Sequence, residues 1–232
     1  MIRLGDIRRL CLGTFIRPGS ETATGRDRAE VALGYLIRHP GGLVLFDTGI
    51  GQVDPETEAH YRPERHPLEQ VLGEVGTAPS DVALVVNCHL HFDHCGGNRL
   101  LQGRPIFSQR AEYDAAHEPD YTAPALIDFP GARFELLDGE TEILPGLHVI
   151  PTPGHTAGHQ SLAVRCDDGT VVLAGQSHDY ASDYTADQLA WRAHRDSGAL
   201  PLPPYPRWLD RLQQLDPRRV LFAHDLAVWE PA

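Results

Sequence analysis

The sequence contains no lysine, and its 20 Lys or Arg positions are all arginine. This absence excludes a lysine Schiff base and the phosphate-binding lysine of a P-loop. Cysteine is also scarce, and it forms neither a Cys-x-x-Cys pair nor an evident disulfide framework. The four positions are Cys11, Cys88, Cys95 and Cys166. We therefore expect a reduced, cytoplasmic protein.

Long hydrophobic runs are missing as well. Residues 1–17 intersperse arginines with short apolar runs, so they lack the uninterrupted apolar core of a signal peptide. No segment approaches the roughly 18 apolar residues of a membrane-spanning helix. The formal net charge of -12 argues against a basic surface for nucleic acid. We therefore expect neither a membrane nor a nucleic acid as a partner. The oligomeric state stays open, with a homodimer among the alternatives.

The length of 232 residues allows one large domain or two small ones. No low-complexity linker divides the chain, so we predict a single domain over residues 1–232. Short apolar and β-branched runs between Gly and Pro turns predict strands, and single helices interrupt them in a pattern that occurs twice. Two sheets packed together with helices outside them fit this layout. The predicted fold class is therefore α+β, a four-layer αβ/βα sandwich.

Hydrophobic periodicity predicts the individual elements. Leu68, Val71, Leu72 and Val75 recur at i, i+3, i+4 and i+7, which predicts a helix over residues 67–73. Further helices are predicted over residues 98–101, 109–116, 185–195 and 205–215. The predicted strands are residues 7–16, 30–38, 43–46, 82–86, 105–107, 134–137, 142–144, 147–152, 161–165, 170–174 and 220–222. Residues 118–131, rich in Pro, Asp and aromatic residues, are predicted to form an irregular loop.

One stretch concentrates side chains that bind metals. Residues 88–98 read Cys-His-Leu-His-Phe-Asp-His-Cys-Gly-Gly-Asn and follow a predicted buried strand. On an extended segment His89, His91 and Asp93 share one face, whereas His94 points away unless the chain turns. The two glycines allow a sharp bend or a close backbone approach. The spacing therefore predicts a loop in which two ligands serve one metal ion and two serve another.

Other polar residues follow predicted strands in the same way. His155 and His159 lie in Pro-Gly-His-Thr-Ala-Gly-His, and His224 follows the last strand. Gln176 follows the hairpin of residues 161–174. Asp47 leaves a strand for a glycine turn, where it either binds backbone amides or supports the histidine loop. We expect His159 to support the site through hydrogen bonds rather than to bind metal.

Together these motifs resemble the metallo-β-lactamase-fold hydrolases. The sequences FDTG, HLHFDH, PGHTAGH and FAHD occur in the order typical of that superfamily, between about residue 30 and residue 225. The glycines after HLHFDH and the full run PGHTAGHQS resemble most closely the N-acyl homoserine lactonase branch. The resemblance implies a metallo-β-lactamase-like sandwich with two metal ions. His89, His91 and His155 would hold one ion, and Asp93, His94 and His224 would hold the other.

The chain departs from this pattern at one ligand. Enzymes of the family have an Asp at the end of the later hairpin that bridges both ions, and this chain has Gln176 there. A neutral amide offers one carbonyl oxygen and is a weaker ligand for a hard dication. Either the second ion binds less tightly, or Asp179 or His178 completes the site. The lactonases also tend to place a Tyr three residues after the bridging Asp, to polarise the substrate carbonyl. In this chain that position is Asp179, and Tyr180, one residue later, is a candidate catalytic residue.

The resemblance implies a metal-dependent hydrolase that uses a metal-bound hydroxide on an ester-like carbonyl. We favour a lactone of the N-acyl homoserine lactone type, with Asp93 orienting the nucleophile and passing a proton to the leaving alkoxide. Imidazole and carboxylate ligands suit Zn, and also Fe, Mn or Co, and we expect Zn. Two alternatives remain open. One is a glyoxalase-type thioesterase, and the other is a degenerate, non-catalytic member that binds metal or ligand.

Overall fold

Strands and helices alternate along the part of the chain that the computed structural model describes, residues 2–119, 121–196 and 202–231. The strands are β1 (Ile7–Arg17), β2 (Arg28–His39), β3 (Gly42–Phe46), β4 (Glu64–Arg65), β5 (Val82–Val86), β6 (Ile106–Gln109), β7 (Phe134–Leu137), β8 (Thr141–Leu144), β9 (Leu147–Pro151), β10 (Gln160–Cys166), β11 (Gly169–Gly175), β12 (Pro217–Phe222) and β13 (Val228–Trp229). The α-helices are α1 (Pro55–Tyr61), α2 (Leu68–Glu74), α3 (Phe92–Cys95), α4 (Arg110–Ala115), α5 (Ala181–Asp196) and α6 (Leu209–Gln214).

The strands form two mixed sheets. The first has the order β4-β1-β2-β3-β5-β6-β7, antiparallel as far as β3 and parallel from β3 to β7. The second has the order β13-β12-β11-β10-β9-β8, in which only β11 and β12 run parallel. In each sheet the parallel neighbours end in the same direction, so the loops that follow them meet at one edge.

Apolar side chains divide between the two faces of each sheet by the period of two. Tyr35 and Ile37 of β2 lie in the core between the sheets, whereas Leu36 belongs to the outer cluster that packs against α2. On the outer face of the second sheet, Tyr184 of α5 and Leu209 of α6 are fully buried. Burying one such side chain contributes about 1.5–3 kcal/mol. Helices therefore cover both outer faces, and the predicted four-layer sandwich is confirmed.

The two sheets are joined where the ligand-bearing strands end. The backbone N–H of Leu33 in β2 donates to the carbonyl of Ala223, 2.9 Å away, and the N–H of Ala223 donates to the carbonyl of Gly175, also at 2.9 Å. The buried hydroxyl of Tyr35 donates to the carbonyl of Phe222 at 2.7 Å. These bonds fix the ends of β11 and β12 beside the first sheet, so loops from both sheets face one another.

Most predicted elements occur with bounds shifted by a few residues. Helix α5 begins four residues earlier than predicted and α6 begins four residues later. Residues 98–101 form a 3-10 helix, and the loop predicted over residues 118–131 contains one 3-10 turn, Pro124–Leu126, with Asp120 outside the described residues. The prediction omitted α1, α3, β4 and β13.

Candidate metal centre

The histidine motif does not stay extended. It leaves β5, and the chain turns at His91, whose backbone is extended just before α3 begins at Phe92. Asp93 and His94 therefore lie on one short helical turn, and the side chain of His94 points inward rather than away. Both are buried, with 6% and 1% of their surface exposed. The turn thus brings all four ligand candidates of the motif to one place.

Three histidines form the first cluster. The Nε2 atom of His89 lies 3.0 Å from Nδ1 of His91, and Nε2 of His155 lies 3.2 Å from the same Nδ1 atom. All three nitrogens lie within 4.8 Å of one another. Ligand nitrogens at about 2.0–2.1 Å from a tetrahedral zinc are themselves about 3.3 Å apart. The cluster therefore fits one cation.

The second cluster contains Asp93, His94 and His224. The two Nε2 atoms are 3.2 Å apart, and Oδ2 of Asp93 lies 3.4 Å from each of them. His224 donates its Nδ1–H to the carbonyl of Val31 at 2.8 Å, and His94 faces the carboxylate of Asp47 with Nδ1 at 3.0 Å. Because these partners accept hydrogen bonds, Nδ1 is the protonated nitrogen of each neutral ring. When both rings are neutral, their Nε2 lone pairs face each other and a carboxylate, so either a proton on His94 or a metal cation stabilises the arrangement.

Asp47 and Cys88 support this cluster from behind. Oδ1 of Asp47 accepts the backbone N–H of Cys88 at 2.8 Å, and Oδ2 accepts its thiol at 3.0 Å as well as facing His94. Asp47 has a positive φ of 59°, a conformation that Asp adopts more readily than bulkier residues. It therefore serves both roles that the sequence left open for it.

The electrostatics of the site match this arrangement. Burial lowers the pKa of His89 well below its ordinary value, and its histidine neighbours lower it further. Burial alone would lower the pKa of His94, but Cys88, Asp93 and Asp47 outweigh it and raise that pKa well above its ordinary value. The pKa of Asp93 is lowered although burial opposes this, because His94 and His224 stabilise its charge. Negative charge in the second cluster therefore attracts a cation.

Gln176 faces the second cluster with its carbonyl oxygen. Its Oε1 atom lies 3.2 Å from Nε2 of His224, and its amide nitrogen lies 3.3 Å from Asp179. The backbone N–H of Gln176 donates to Nε2 of His159, whose Nδ1 contacts the carbonyl of Thr152. His159 thus positions the Gln176 backbone, and its Nε2 already accepts a hydrogen bond.

The structure does not bring His178 or Tyr180 to the clusters. The ring nitrogens of His178 contact Ser177 and Asp187, at 3.2 and 3.1 Å. The guanidinium of Arg28 lies over the Tyr180 ring, 4.7 Å from its centroid. Tyr180 is also absent from the described residues that line the cavity above the clusters. Its prediction as a catalytic residue therefore gains no support from its position.

The cavity above the clusters has a volume of about 1380 Å³, and His91, Asp93, His155 and Gln176 lie in its wall. Tyr121 also lines it, with its ring centroid 4.7 Å from that of His91. The residues of both clusters thus open to a space large enough for a small organic substrate.

Sequence reasoning missed Glu112. The fully buried carboxylate of Glu112 accepts from the backbone N–H of Leu90 at 2.8 Å, the hydroxyl of Thr156 at 2.6 Å and the hydroxyl of Tyr121. It therefore connects the histidine motif, the His155 loop and the cavity wall. No local pattern marks a lone Glu in a short helix for this role, because its partners are distant in sequence.

Comparison of the sequence with known protein families identifies the class of protein that carries this site. The chain belongs to the metallo-beta-lactamase superfamily, because the family model of that description matches residues 28–224. Within it, an N-acyl homoserine lactonase of Bacillus cereus is 31% identical over 212 residues, which cover 83% of this chain and 80% of that relative. The N-acyl homoserine lactonase AttM of Rhizobium radiobacter is 31% identical over 173 residues, 65% of each chain.

Solved structures share the fold. A Bacillus thuringiensis AiiA variant with N-decanoyl-L-homoserine bound at its active site has a TM-score of 0.75 at 22% identity, covering 97% of this chain and 94% of that chain. AidC, described as a dizinc quorum-quenching lactonase, has a TM-score of 0.65 at 17% identity, covering 94% of this chain and 86% of that chain. No helix among the described residues is long and apolar enough to span a membrane.

Proposed function

We propose that this protein is a metal-dependent hydrolase that opens lactone rings, with N-acyl homoserine lactones as its substrate class. The observation that carries the proposal is the convergence of two sets of metal-binding side chains at the wall of one cavity. The relatives named N-acyl homoserine lactonase favour a lactone over other ester-like substrates.

The proposed ligands follow the two clusters. His89, His91 and His155 would hold one ion, and Asp93, His94, His224 and the carbonyl oxygen of Gln176 would hold the other. We propose Zn for both, because imidazole-rich sites with a carboxylate suit it. Bound divalent ions would lower the pKa of water and polarise the substrate carbonyl.

Asp93 is the proposed catalytic residue of the chain itself. Its carboxylate is buried, its pKa is held low, and it lines the cavity. An ionised carboxylate in that position accepts a hydrogen bond from the attacking water and orients it toward the carbonyl. The alkoxide released from a lactone stays tethered in the product, so the proton that Asp93 receives has a short path to it.

The cavity wall suits a neutral, apolar acyl chain. Phe15, Tyr61 and Phe92 pack edge-to-face or tilted, with centroids 5.2–6.4 Å apart. Arg17 also lines the cavity, but Glu30 holds its guanidinium with two hydrogen bonds, at 2.7 and 2.9 Å. This pairing counts against the glyoxalase-type alternative, because an anionic glutathione carboxylate would need an unpaired cation.

Turnover of N-acyl homoserine lactones by metal-loaded and metal-free protein tests the proposal, with acid release as the readout. We expect turnover that depends on metal and falls by about 100-fold or more in Asp93→Asn and His91→Ala. His91→Ala removes a ligand, and Asp93→Asn replaces an anionic ligand with a weaker neutral amide and removes the general base. His66→Gln, an exposed histidine outside both clusters, is the matched control. Equal turnover by metal-free protein would reject the proposal.

The same experiment separates the non-catalytic alternative. A degenerate member would bind metal and leave every lactone intact, and Gln176→Asp would then raise turnover strongly.

We also propose that the chain is one domain. Its cytoplasmic location and its oligomeric state, a homodimer included, stay predictions.

A further inference from the structure

A glutamine ligand has an orientation problem that a carboxylate does not have. Its amide ends in an oxygen with lone pairs on one side and an NH₂ group on the other, and only the oxygen binds a cation. Gln176 lies in the cavity wall but is only 3% exposed, so contact with water alone does not fix either orientation. Some neighbouring group must decide which end faces the second cluster.

His224 does not favour the orientation in which the Gln176 oxygen faces the second cluster. Its Nδ1–H donates to the carbonyl of Val31, so Nε2 presents a lone pair toward Gln176 at 3.2 Å. A flipped amide would donate its NH₂ group to that lone pair and gain a hydrogen bond. Without an opposing contact, the metal-free site would therefore favour the orientation that cannot bind metal.

Asp179 supplies the opposing contact. Its Oδ1 accepts the amide N–H of Gln176 at 3.3 Å, and a carboxylate cannot accept from an amide oxygen. Arg28 holds the other oxygen of Asp179 at 3.0 Å and donates its Nε–H to Glu30 at 2.7 Å. Arg17 holds Glu30 in turn. A line of alternating charges thus fixes Asp179 from behind, so that it does not turn with the amide.

We propose that Asp179 is a positioning residue that holds the Gln176 amide with Oε1 toward the second cluster, where it completes the ligand set of the second ion. The inference rests on the metal-dependent function proposed above. The carboxylate also polarises the amide, because a hydrogen bond from N–H to an anion increases the negative charge on the carbonyl oxygen. Asp179 thereby increases the negative charge on the Gln176 oxygen, and so replaces part of the charge that a carboxylate ligand would place beside the ion.

Stepwise zinc binding to metal-free protein, measured in competition with a chelator, tests the proposal. We expect Asp179→Asn to raise the dissociation constant of the second ion by about 10–100-fold and to change that of the first by less than about twofold. The exposed Asp183→Asn on the same segment is the matched control and should change neither constant. Thermal unfolding of the metal-free variants shows whether they fold, and Asp179→Ala replaces Asp179→Asn if that variant does not.

The double variant with Gln176→Ala separates positioning from a general structural role. If Asp179 acts through Gln176, Asp179→Asn has no further effect on zinc binding once Gln176 is Ala. An equal effect in both backgrounds overturns the proposal, as does an unchanged second dissociation constant in Asp179→Asn.

Two outcomes keep this inference distinct from the proposed function. Wild-type protein that binds a single ion yet turns over lactones overturns the inference and supports the function. Protein that binds a second ion in an Asp179-dependent way without lactone turnover supports the inference and overturns the function.

Discussion

The centre depends, at the scale of single side chains, on which nitrogen of each histidine carries its proton. A histidine binds a metal ion through the nitrogen that lacks a proton, and the hydrogen bond of the other nitrogen decides which one that is. For His94 this partner is Asp47, and for His224 it is the carbonyl of Val31. Residues that bind no metal therefore define the second cluster as much as its ligands do.

Asp47→Asn tests this dependence. Asn tolerates the positive φ of position 47, so the backbone should persist. Its single side-chain oxygen serves either the Cys88 N–H or His94, not both, and its NH₂ group opposes the Nδ1–H of His94. We expect the second zinc dissociation constant to rise by about 10–100-fold, measured by chelator competition. Unchanged zinc binding would contradict the role assigned to Asp47.

Local spacing predicted the side chains of the histidine motif as one group, because four of the candidates lie within six residues. The resemblance to the family, rather than spacing, drew attention to position 176, where the residue type differs from the family pattern. Spacing did not predict Glu112, whose partners Leu90, Tyr121 and Thr156 are reached only through the fold. Spacing also gave no sign of the orientation of the Gln176 amide, because that orientation depends on Asp179 and on charged residues of β1 and β2.

At the scale of elements, the loop after β3 wraps around α3. Thr48 donates its backbone N–H to His94 at 2.7 Å, Gly51 donates to Phe92 at 2.6 Å, and Gly96 donates to the carbonyl of Gly49 at 2.8 Å. The glycine turn after the motif therefore serves a close backbone approach rather than an unusual φ. Gly96 itself has ordinary helical angles.

Gly96→Ala tests this packing. An added Cβ would lie 2.0 Å from the backbone nitrogen of Gly51, a contact that no side-chain movement relieves. We expect a loss of about 3 kcal/mol or more in the free energy of unfolding, measured by urea denaturation of metal-free protein. Gly73→Ala is the control, because nothing lies within 4 Å of its added Cβ and Ala in helix α2 stabilises by about 0.5–1 kcal/mol. Equal unfolding free energies for the two variants would contradict the close approach.

Periodicity predicted the longer elements and failed on the shortest. Strands β4 and β13 have two residues each, which is too few for any alternation. Helix α1 did have a local signal, because Asp54 accepts the backbone N–H groups of Glu56 and Thr57 and Pro55 occupies the first helical position. The turn at α3 had none, because metal-binding side chains rather than an apolar stripe determine its sequence.

At the scale of the whole molecule, the candidate centre lies across both sheets. The four ligand candidates of the histidine motif come from the first sheet, whereas His155, Gln176 and His224 come from the second. A cation held between them would therefore stabilise the packing of the two sheets, so metal binding and folding are coupled. Because the histidines of the centre are buried between the two sheets, their protonation affects the stability of the metal-free protein.

The metal-free protein should lose stability as the pH falls. Burial lowers the pKa of His89, His159 and His224 in the folded state, so the unfolded chain binds more protons below about pH 6.5. Their contribution to stability is present above that pH and is lost as the pH falls. His94 opposes them, because its pKa is raised and its contribution is lost as the pH rises. Burial lowers the pKa of His91 and His155 in the same way, and the exposed His117 has a raised pKa like His94. Five lowered groups outweigh two raised ones, so we expect the Tm to decrease from about pH 7.5 to about pH 5.5.

Calorimetry of metal-free and zinc-loaded protein at several pH values measures this dependence. Salt has little effect on a pKa shift that burial causes. The decrease of the Tm with falling pH should therefore persist at about 0.5 M NaCl. The difference in Tm between the zinc-loaded and the metal-free protein should decrease toward low pH, since zinc needs deprotonated ligands. A Tm of the metal-free protein that is constant or rises as the pH falls would mean that the proton on His94 outweighs the buried neutral histidines. The second cluster, with its carboxylate and its negative surroundings, would then dominate the electrostatics of the whole centre.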